Sequence, residues 1–312
     1  MNIVNKIIRY TNNKILRTPG LEFIQKNPDE IKRRKHINFW INRASKIKSF
    51  QKYFFEQGVS DKRDNLNVRF KNTPDYMISE NMFDALATNG LVVIEDALPK
   101  DEWISVLSHF NDLKSKSKSK SKSKSEFEKN WNSKPKNPNF FSKTNEIAAA
   151  IDISEFPYLN KYSEIASNEI YGKTVNPTVE FHYLNLTEDL EDKTRGATYL
   201  HTDRFLPHFK IFYTPTLIDE DSGPFQYSLG SHKINENYID YFIKGKNYDE
   251  TDEYSKPLIN QTETITAKEN TLYLAFTNGM HKRTVFKKKD KERSMVFLQY
   301  IKNFNKFNYL FR

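Results

Sequence analysis

The second half of the chain constrains the fold most. After Pro177 the sequence breaks into short runs rich in β-branched and aromatic residues, and turn signals such as Asn278-Gly279 separate them. Such runs are typical of β-strands, and they favour a sandwich, barrel or jelly roll over βαβ units. The predicted strands, with one upstream, are Leu91–Glu95, Thr178–Leu186, Thr198–Thr202, Phe209–Leu217, Pro224–Tyr227, Glu263–Thr266, Thr271–Phe276 and Ser294–Tyr300.

Helical patterns lie mostly before these strands. Pro99, Asp101 and Glu102 suit the start of a helix, and apolar residues then recur at helical spacing as far as Leu113. The other predicted helices are short ones within Pro28–Phe54, then Lys143–Ile151 and Pro157–Tyr171. Because helices come first and strands later, we expect a mainly β protein with a helical layer, in the α+β class.

The chain divides by composition into a helical N-terminal extension, residues 1–78, and a main domain, residues 79–312. The extension is rich in Lys, Arg and Asn. Its first residues, around Ile3–Ile8, could form a basic amphipathic helix on an anionic membrane, although a helix packed on the main domain is the stronger expectation. No apolar run is long enough to span a bilayer, and the first 20 residues lack a secretory signal pattern. We therefore expect a cytoplasmic protein.

The positive charge is concentrated in one tract. The formal net charge is +9, but an alternating Lys-Ser repeat at residues 114–125 holds six of the Lys, and without them the net charge is +3. A tract of this composition cannot bury apolar surface, so we predict a long solvated loop from Lys114 to Phe140. The charge is thus weak evidence for a nucleic-acid partner. The absence of Cys excludes thiolate metal sites and disulfides.

One His-x-Asp triplet and a distant His suggest a metal site. In His201-Thr-Asp203 the His and Asp are two apart, so on a strand both side chains would point to the same face. His281 follows the predicted strand that ends at Phe276. Two His and one carboxylate form the facial triad of non-haem Fe(II) oxygenases. Arg293, at the start of the last predicted strand, could bind a dicarboxylate cosubstrate through two hydrogen bonds.

Each of these residues also has a purely structural interpretation. His201 and Asp203 could be a hydrogen-bonded surface pair, and His281 could be an ordinary turn histidine. Arg293 could form a salt bridge with Asp290 or Glu292. These alternatives remain open on the residues alone.

An ordered series of motifs carries a family resemblance over roughly residues 80–303. The series runs through Asn89-Gly-Leu-Val-Val-Ile-Glu-Asp-Ala-Leu98, His201-Thr-Asp203, Phe209-Lys-Ile-Phe-Tyr, Asp221-Ser-Gly-Pro-Phe225, Leu229-Gly-Ser-His-Lys233, Thr271-Leu-Tyr-Leu, Gly279-Met-His281 and Glu292-Arg-Ser. It resembles the phytanoyl-CoA dioxygenase-type (PhyH-like) family of Fe(II)/2-oxoglutarate-dependent oxygenases. The resemblance implies a double-stranded β-helix, or jelly roll, of cupin-like architecture with helices backing one sheet. It also implies Fe(II), 2-oxoglutarate and O2, and hydroxylation of a small organic substrate with decarboxylation of 2-oxoglutarate to succinate.

The resemblance also implies roles for individual residues. His201, Asp203 and His281 would be the metal ligands, and Arg293 would pair with the distal carboxylate of 2-oxoglutarate. Further cosubstrate contacts would come from Asn185, Thr202 and Phe212.

The sequence departs from the family pattern at two positions. Many members have a small hydroxyl residue where this chain has Arg283, which would then contact either cosubstrate or substrate. Many also have Gly where this chain has Asn270, which tolerates the same left-handed turn.

Two other functions remain possible on the sequence: a non-catalytic binding protein of the same fold, and a basic oxygenase associated with nucleic acid.

Overall fold

The computed structural model describes residues 28–55, 67–72, 77–119, 144–186, 198–245, 250–259 and 261–300. The proposed amphipathic segment Ile3–Ile8 and the second half of the Lys-Ser tract lie outside them.

A seven-stranded sheet forms one wall of the molecule. Its strands are β1 (Arg69–Lys71), β2 (Leu91–Glu95), β3 (Thr144–Ala150), β4 (Thr178–Leu186), β5 (Phe209–Thr214), β8 (Thr271–Phe276) and β10 (Glu292–Gln299). They lie in the order β1-β2-β8-β5-β10-β4-β3. All neighbours are antiparallel except β1 and β2, which are parallel.

A smaller sheet faces the first. It contains β6 (Phe225–Ser228) between β7 (Thr262–Ile265) and β9 (His281–Arg283), and an isolated bridge adds His201 beside β9. From β4 onward the chain places β4, β5, β8 and β10 in the large sheet, and the His201 segment, β6, β7 and β9 in the small one. This alternation between two facing sheets is a double-stranded β-helix, as expected.

The space between the sheets is filled by side chains from both inner faces. Phe212, Tyr273 and Met295 of the large sheet join Phe225 and Tyr227 of the small sheet in one buried cluster. Because side chains alternate along a strand, this cluster identifies the inner face of β5, β8 and β10.

Helices cover the outer face of the large sheet. Tyr213 and Val296, which point away from the inner cluster, pack in a second core with helical residues such as Trp40 and Tyr162. The helices are α1 (Glu30–Ala44), α2 (Lys48–Phe50), α3 (Glu80–Asn89), α4 (Lys100–Ser119), α5 (Pro157–Tyr171) and α6 (Glu236–Lys244). A π-helical turn, Gln51–Phe55, continues α2.

The N-terminal helices belong to this second core. The ring of Phe54 lies 4.5 Å from that of Phe276 on β8, and the ring of Tyr53 lies 5.6 Å from it. The described part of the extension therefore packs directly on the sheet. The domain boundary at residue 78 stays a prediction.

The helix predicted over Lys143–Ile151 is wrong. Thr144–Ala150 form β3, which pairs with β4 in a continuous register from Thr144 opposite Leu186 to Ala150 opposite Glu180. The run Ala148-Ala-Ala150 has high helix propensity, but propensity is a weak term that the backbone pairing of a sheet edge overrides.

Two other predicted boundaries are also wrong. Helix α4 continues to Ser119, so the loop does not begin at Lys114, since Lys is a good helix former that can extend an existing helix. Thr198–Thr202 is not a strand, because only His201 bridges, and the chain turns directly after it.

The positive backbone angle expected at Asn270 is confirmed, with φ at 59°. Its side chain ties the turn to the start of α4. The amide Nδ2 donates to Leu98 O at 2.8 Å, and Oδ1 accepts from Leu98 N at 2.9 Å. Asn270 therefore adopts a left-handed conformation, which Asn tolerates better than most residues, and its side chain adds two hydrogen bonds.

A buried carboxylate of α4 caps α5. Helix α5 begins with Pro157 and has no side-chain cap of its own. The Glu102 oxygens accept from Tyr158 N at 2.8 Å and Leu159 N at 2.9 Å. These are backbone donors that the first turn of a helix leaves without partners, so Glu102 fixes the two helices to each other.

Within the described residues, no helix is both long enough and apolar enough to cross a bilayer.

Replacing Glu102 by Ala should lower the free energy of unfolding by about 1 to 2 kcal/mol, because two backbone donors lose their acceptor. Urea denaturation followed by circular dichroism measures this. The control is Asp101→Ala, which removes an exposed carboxylate from the same helical turn. Equal losses in the two variants would show that the cap does not stabilise the fold.

Candidate metal centre

Backbone pairing brings two histidines together from distant parts of the chain. His201 N donates to His281 O at 3.0 Å, and His281 N donates to His201 O at 2.9 Å. Side chains directly opposite each other on paired strands lie on the same face, and the two imidazole centroids are 4.7 Å apart. This bridge closes the open edge of the small sheet.

The turn after His201 places the Asp203 carboxylate beside the two histidines. Asp203 N donates to Thr277 O at 2.9 Å, which ties the turn to the segment before His281. Asp203 Oδ1 then lies 3.7 Å from His281 Nε2 and 3.9 Å from His201 Nε2. One potential ligand atom from each residue lies within 4.8 Å of the others. The three side chains therefore lie together, and a turn rather than a strand brings Asp203 to the histidines. Their role as metal ligands stays a prediction.

Both imidazoles are oriented by their own chain. His201 Nδ1 lies 2.7 Å from Tyr199 O, and His281 Nδ1 lies 2.9 Å from Gly279 O. A carbonyl oxygen only accepts, so each Nδ1 carries the proton and donates. Each Nε2 therefore presents a lone pair to the centre of the cluster, which is the arrangement common among metal-binding histidines.

The ionisation states also suit a cation. Burial raises the pKa of Asp203, but the ammonium of Lys210 and the neighbouring imidazoles lower it more, so the pKa lies well below its usual value. Burial lowers the pKa of His281 to about 3, so this imidazole is neutral at physiological pH. One carboxylate and two imidazoles form a donor set that fits a divalent first-row transition metal.

Arg293 lies on the inner face of the large sheet. It is 5 % exposed, and it precedes Met295 by two residues on β10, so both point toward the small sheet. Its Nη2 lies 3.3 Å from Met295 Sδ. Glu292, a possible salt-bridge partner on the sequence, accepts a hydrogen bond from Tyr183 Oη at 2.8 Å.

The other predicted cosubstrate residues differ in position. Phe212 lies on the inner face, with its ring 5.4 Å from that of Phe225. Thr202 is buried, and its hydroxyl has no hydrogen-bond partner among the described residues. Asn185 pairs with Glu292 in the backbone register, but its side chain lies outside the described part. The roles of these residues stay predictions.

Arg283 lies two residues after His281 on β9. Its guanidinium lies 5.2 Å from the centroid of the Phe286 ring, and Nη1 donates to Thr284 O at 3.1 Å. The Arg283 side chain therefore contacts residues that follow the end of β9.

Sequence reasoning missed two residues that contact the cluster. Lys210 Nζ lies 2.6 Å from Asp203 Oδ2, and His208 Nδ1 lies 3.6 Å from the same oxygen. The signal for Lys210 was present: it is two residues before Phe212, so on a strand it shares the inner face with that aromatic residue.

No family model matches the chain, and no curated protein matches it. The phytanoyl-CoA dioxygenase-type resemblance therefore stays a prediction.

Several solved structures are similar in part. The epimerase SnoN, in complex with Fe3+, alpha ketoglutarate and nogalamycin RO, is 11% identical over 70% of this chain and 80% of its own, with a TM-score of 0.42. EctD from S. alaskensis with bound Fe is 15% identical over 73% and 78%, with a TM-score of 0.43. HygX from Streptomyces hygroscopicus, with nickel and 2-oxoglutarate bound, is 12% identical over 71% and 86%, with a TM-score of 0.41. Likenesses this distant carry no argument about activity.

The cluster should bind one divalent transition-metal ion per chain. Isothermal titration with Ni(II) should show this stoichiometry, and His201→Ala or His281→Ala should weaken binding at least tenfold, because each removes one of three ligands. His109→Ala is the control, since His109 lies away from the cluster beside Glu155. Wild-type affinity in both ligand variants would exclude this cluster as the site.

Proposed function

We propose that this chain is an Fe(II)- and 2-oxoglutarate-dependent dioxygenase that hydroxylates a small organic substrate. The observation that carries the proposal is the convergence of His201 Nε2, His281 Nε2 and Asp203 Oδ1 at the edge of a jelly roll. A facial group of two imidazoles and one carboxylate leaves coordination positions open, as reactions at non-haem iron require.

The three ligands would hold Fe(II) while their own positions are fixed by backbone contacts. When bound, Fe(II) with O2 and 2-oxoglutarate supplies the oxidising chemistry that hydroxylates a C–H bond and releases succinate and CO2. The contribution of the chain is binding, orientation and the exclusion of side reactions. The two Nδ1–H···O=C hydrogen bonds keep the imidazoles from rotating away from the ion.

Arg293 is the proposed partner of the distal carboxylate of 2-oxoglutarate. Three facts support this role: it is buried, it lies on the inner face of β10, and its guanidinium always carries a positive charge. A planar guanidinium can donate two parallel hydrogen bonds to a carboxylate, and such a pair is strong in a site that excludes water.

Aromatic side chains beside the cluster would suit a small, partly apolar substrate, since the ring of Phe225 lies 5.7 Å from that of His281. Aromatic surface near or within the inner cluster comes from Phe212, Phe225, Tyr273 and Phe297. Apolar walls with a few charged groups are the usual composition of small-molecule sites.

One observation favours a second candidate, a non-catalytic protein of the same fold. Lys210 already neutralises Asp203, so the carboxylate has a counter-charge without a metal. Such a protein would bind Fe(II) and 2-oxoglutarate but would form no succinate with any substrate.

The decisive experiment measures succinate. Protein supplied anaerobically with Fe(II) and 2-oxoglutarate, then exposed to O2, should form succinate, and a candidate substrate should accelerate this. Asp203→Ala should reduce the rate at least a hundredfold, since it removes a ligand of the ion. Metal binding without succinate across a substrate panel would favour the binding protein, and neither metal binding nor succinate would refute both.

Arg293→Gln should raise the KM for 2-oxoglutarate at least tenfold and change kcat less, because Arg293 would act on binding far from the reacting atoms. The dissociation constant of 2-oxoglutarate from Ni(II)-loaded protein, measured by calorimetry, should rise in parallel. Arg69→Gln is the control, because its guanidinium bonds to Thr266 O outside the inner cluster. An unchanged KM in Arg293→Gln would remove this residue from the cosubstrate site.

A further inference from the structure

The two oxygens of the Asp203 carboxylate have different surroundings. Oδ1 faces the imidazole nitrogens of His281 and His201, at 3.7 and 3.9 Å. Oδ2 is turned away from them, toward Lys210 Nζ at 2.6 Å and His208 Nδ1 at 3.6 Å. Oδ1 therefore faces the candidate metal site, and Oδ2 forms an ion pair on the other side of the carboxylate.

Lys210 occupies an unusual position for a lysine. It lies on the inner face of β5, opposite Ala275 and two residues from Phe212, and its side chain is 15% exposed. Placing an ammonium group on such a face is costly unless the charge is paired. Among the described residues, Asp203 is the carboxylate with which Lys210 pairs.

The backbone of Asp203 is held independently of Lys210. Asp203 N donates to Thr277 O at 2.9 Å, and Thr277 N donates to His208 O at 2.8 Å. The Thr277 hydroxyl also lies 2.8 Å from His208 Nδ1. These contacts fix the turn, so the ion pair with Lys210 acts on the remaining freedom, which is rotation of the carboxylate about its side-chain bonds.

We propose that Lys210 is a positioning residue that holds Oδ2 of Asp203, so that the carboxylate coordinates the metal end-on through Oδ1 alone. This inference rests on the metal site of the proposed function. A carboxylate free to rotate can bind an ion through both oxygens, as carboxylates do at many metal sites. Two-oxygen binding would occupy one more coordination position, and such positions are what a facial group of three ligands leaves open for other molecules.

The test counts water molecules on a bound Mn(II) ion, because waters fill the positions that the protein leaves open. Water enriched in the magnetic oxygen isotope broadens the electron paramagnetic resonance lines of Mn(II) in proportion to the number of waters bound. In Lys210→Met the released carboxylate should bind through both oxygens, so the count should fall by one relative to wild type. Lys210→Arg keeps the ion pair and should retain the wild-type count.

A matched control separates this effect from the loss of any buried lysine. Lys282 lies beside His281, its side chain is 11% exposed, and it pairs with Glu250 at 3.0 Å rather than with Asp203. Lys282→Met should therefore leave the water count unchanged. If Lys210→Met does not fold, Lys210→Gln provides the same neutral comparison.

An unchanged water count in both neutral Lys210 variants would overturn the proposal, as would an equal decrease in Lys282→Met. Failure of the proposed function gives a different result: His201→Ala would then bind Mn(II) as tightly as wild type. The readout needs neither substrate nor turnover, so it also applies if the protein is not catalytic.

Discussion

The candidate site depends on one pair of backbone hydrogen bonds. The reciprocal contacts between His201 and His281 bring together residues that are far apart in the chain, and they place both imidazoles on one face of the small sheet's edge. Closing so long a segment costs conformational entropy, which the packed core between and behind the sheets must offset. The positions of both imidazoles are therefore fixed by this backbone pairing.

Electrostatics then set the character of the cluster. A partly buried carboxylate is unfavourable without compensation, and the ammonium of Lys210 keeps Asp203 ionised. Burial keeps His281 neutral, so its nitrogen lone pair is available. The site thus combines a carboxylate oxygen and two imidazole nitrogens on one side with a positive charge behind the carboxylate. The ion pair with Lys210 limits how the carboxylate can turn.

Much of the pattern of strands and helices could be predicted from local sequence. The strand Thr271–Phe276 and the helix Pro157–Tyr171 have the predicted bounds, and the predicted order of elements gave a mainly β class with a helical layer. The wrong predictions lie where hydrogen bonding to a strand distant in the sequence determines the local structure. The Ala-rich β3 became a strand because β4 offered it a hydrogen-bonded partner, and His201 lies in a bridge because β9 is its neighbour. Short β9 itself, with only three residues, carried no periodic signal.

The sequence by itself determined which charged and metal-binding side chains were available, namely an ordered set of His, Asp and Arg residues. It also determined that Lys210 and Phe212, two residues apart, lie on one face of a strand. Such features are local, because spacing along a strand dictates side-chain direction. Only the tertiary structure decided that Oδ1 of Asp203 faces both imidazoles while Oδ2 faces Lys210, and that Glu102 caps a helix 55 residues beyond it. Those contacts depend on how distant segments pack, and no local spacing encodes them.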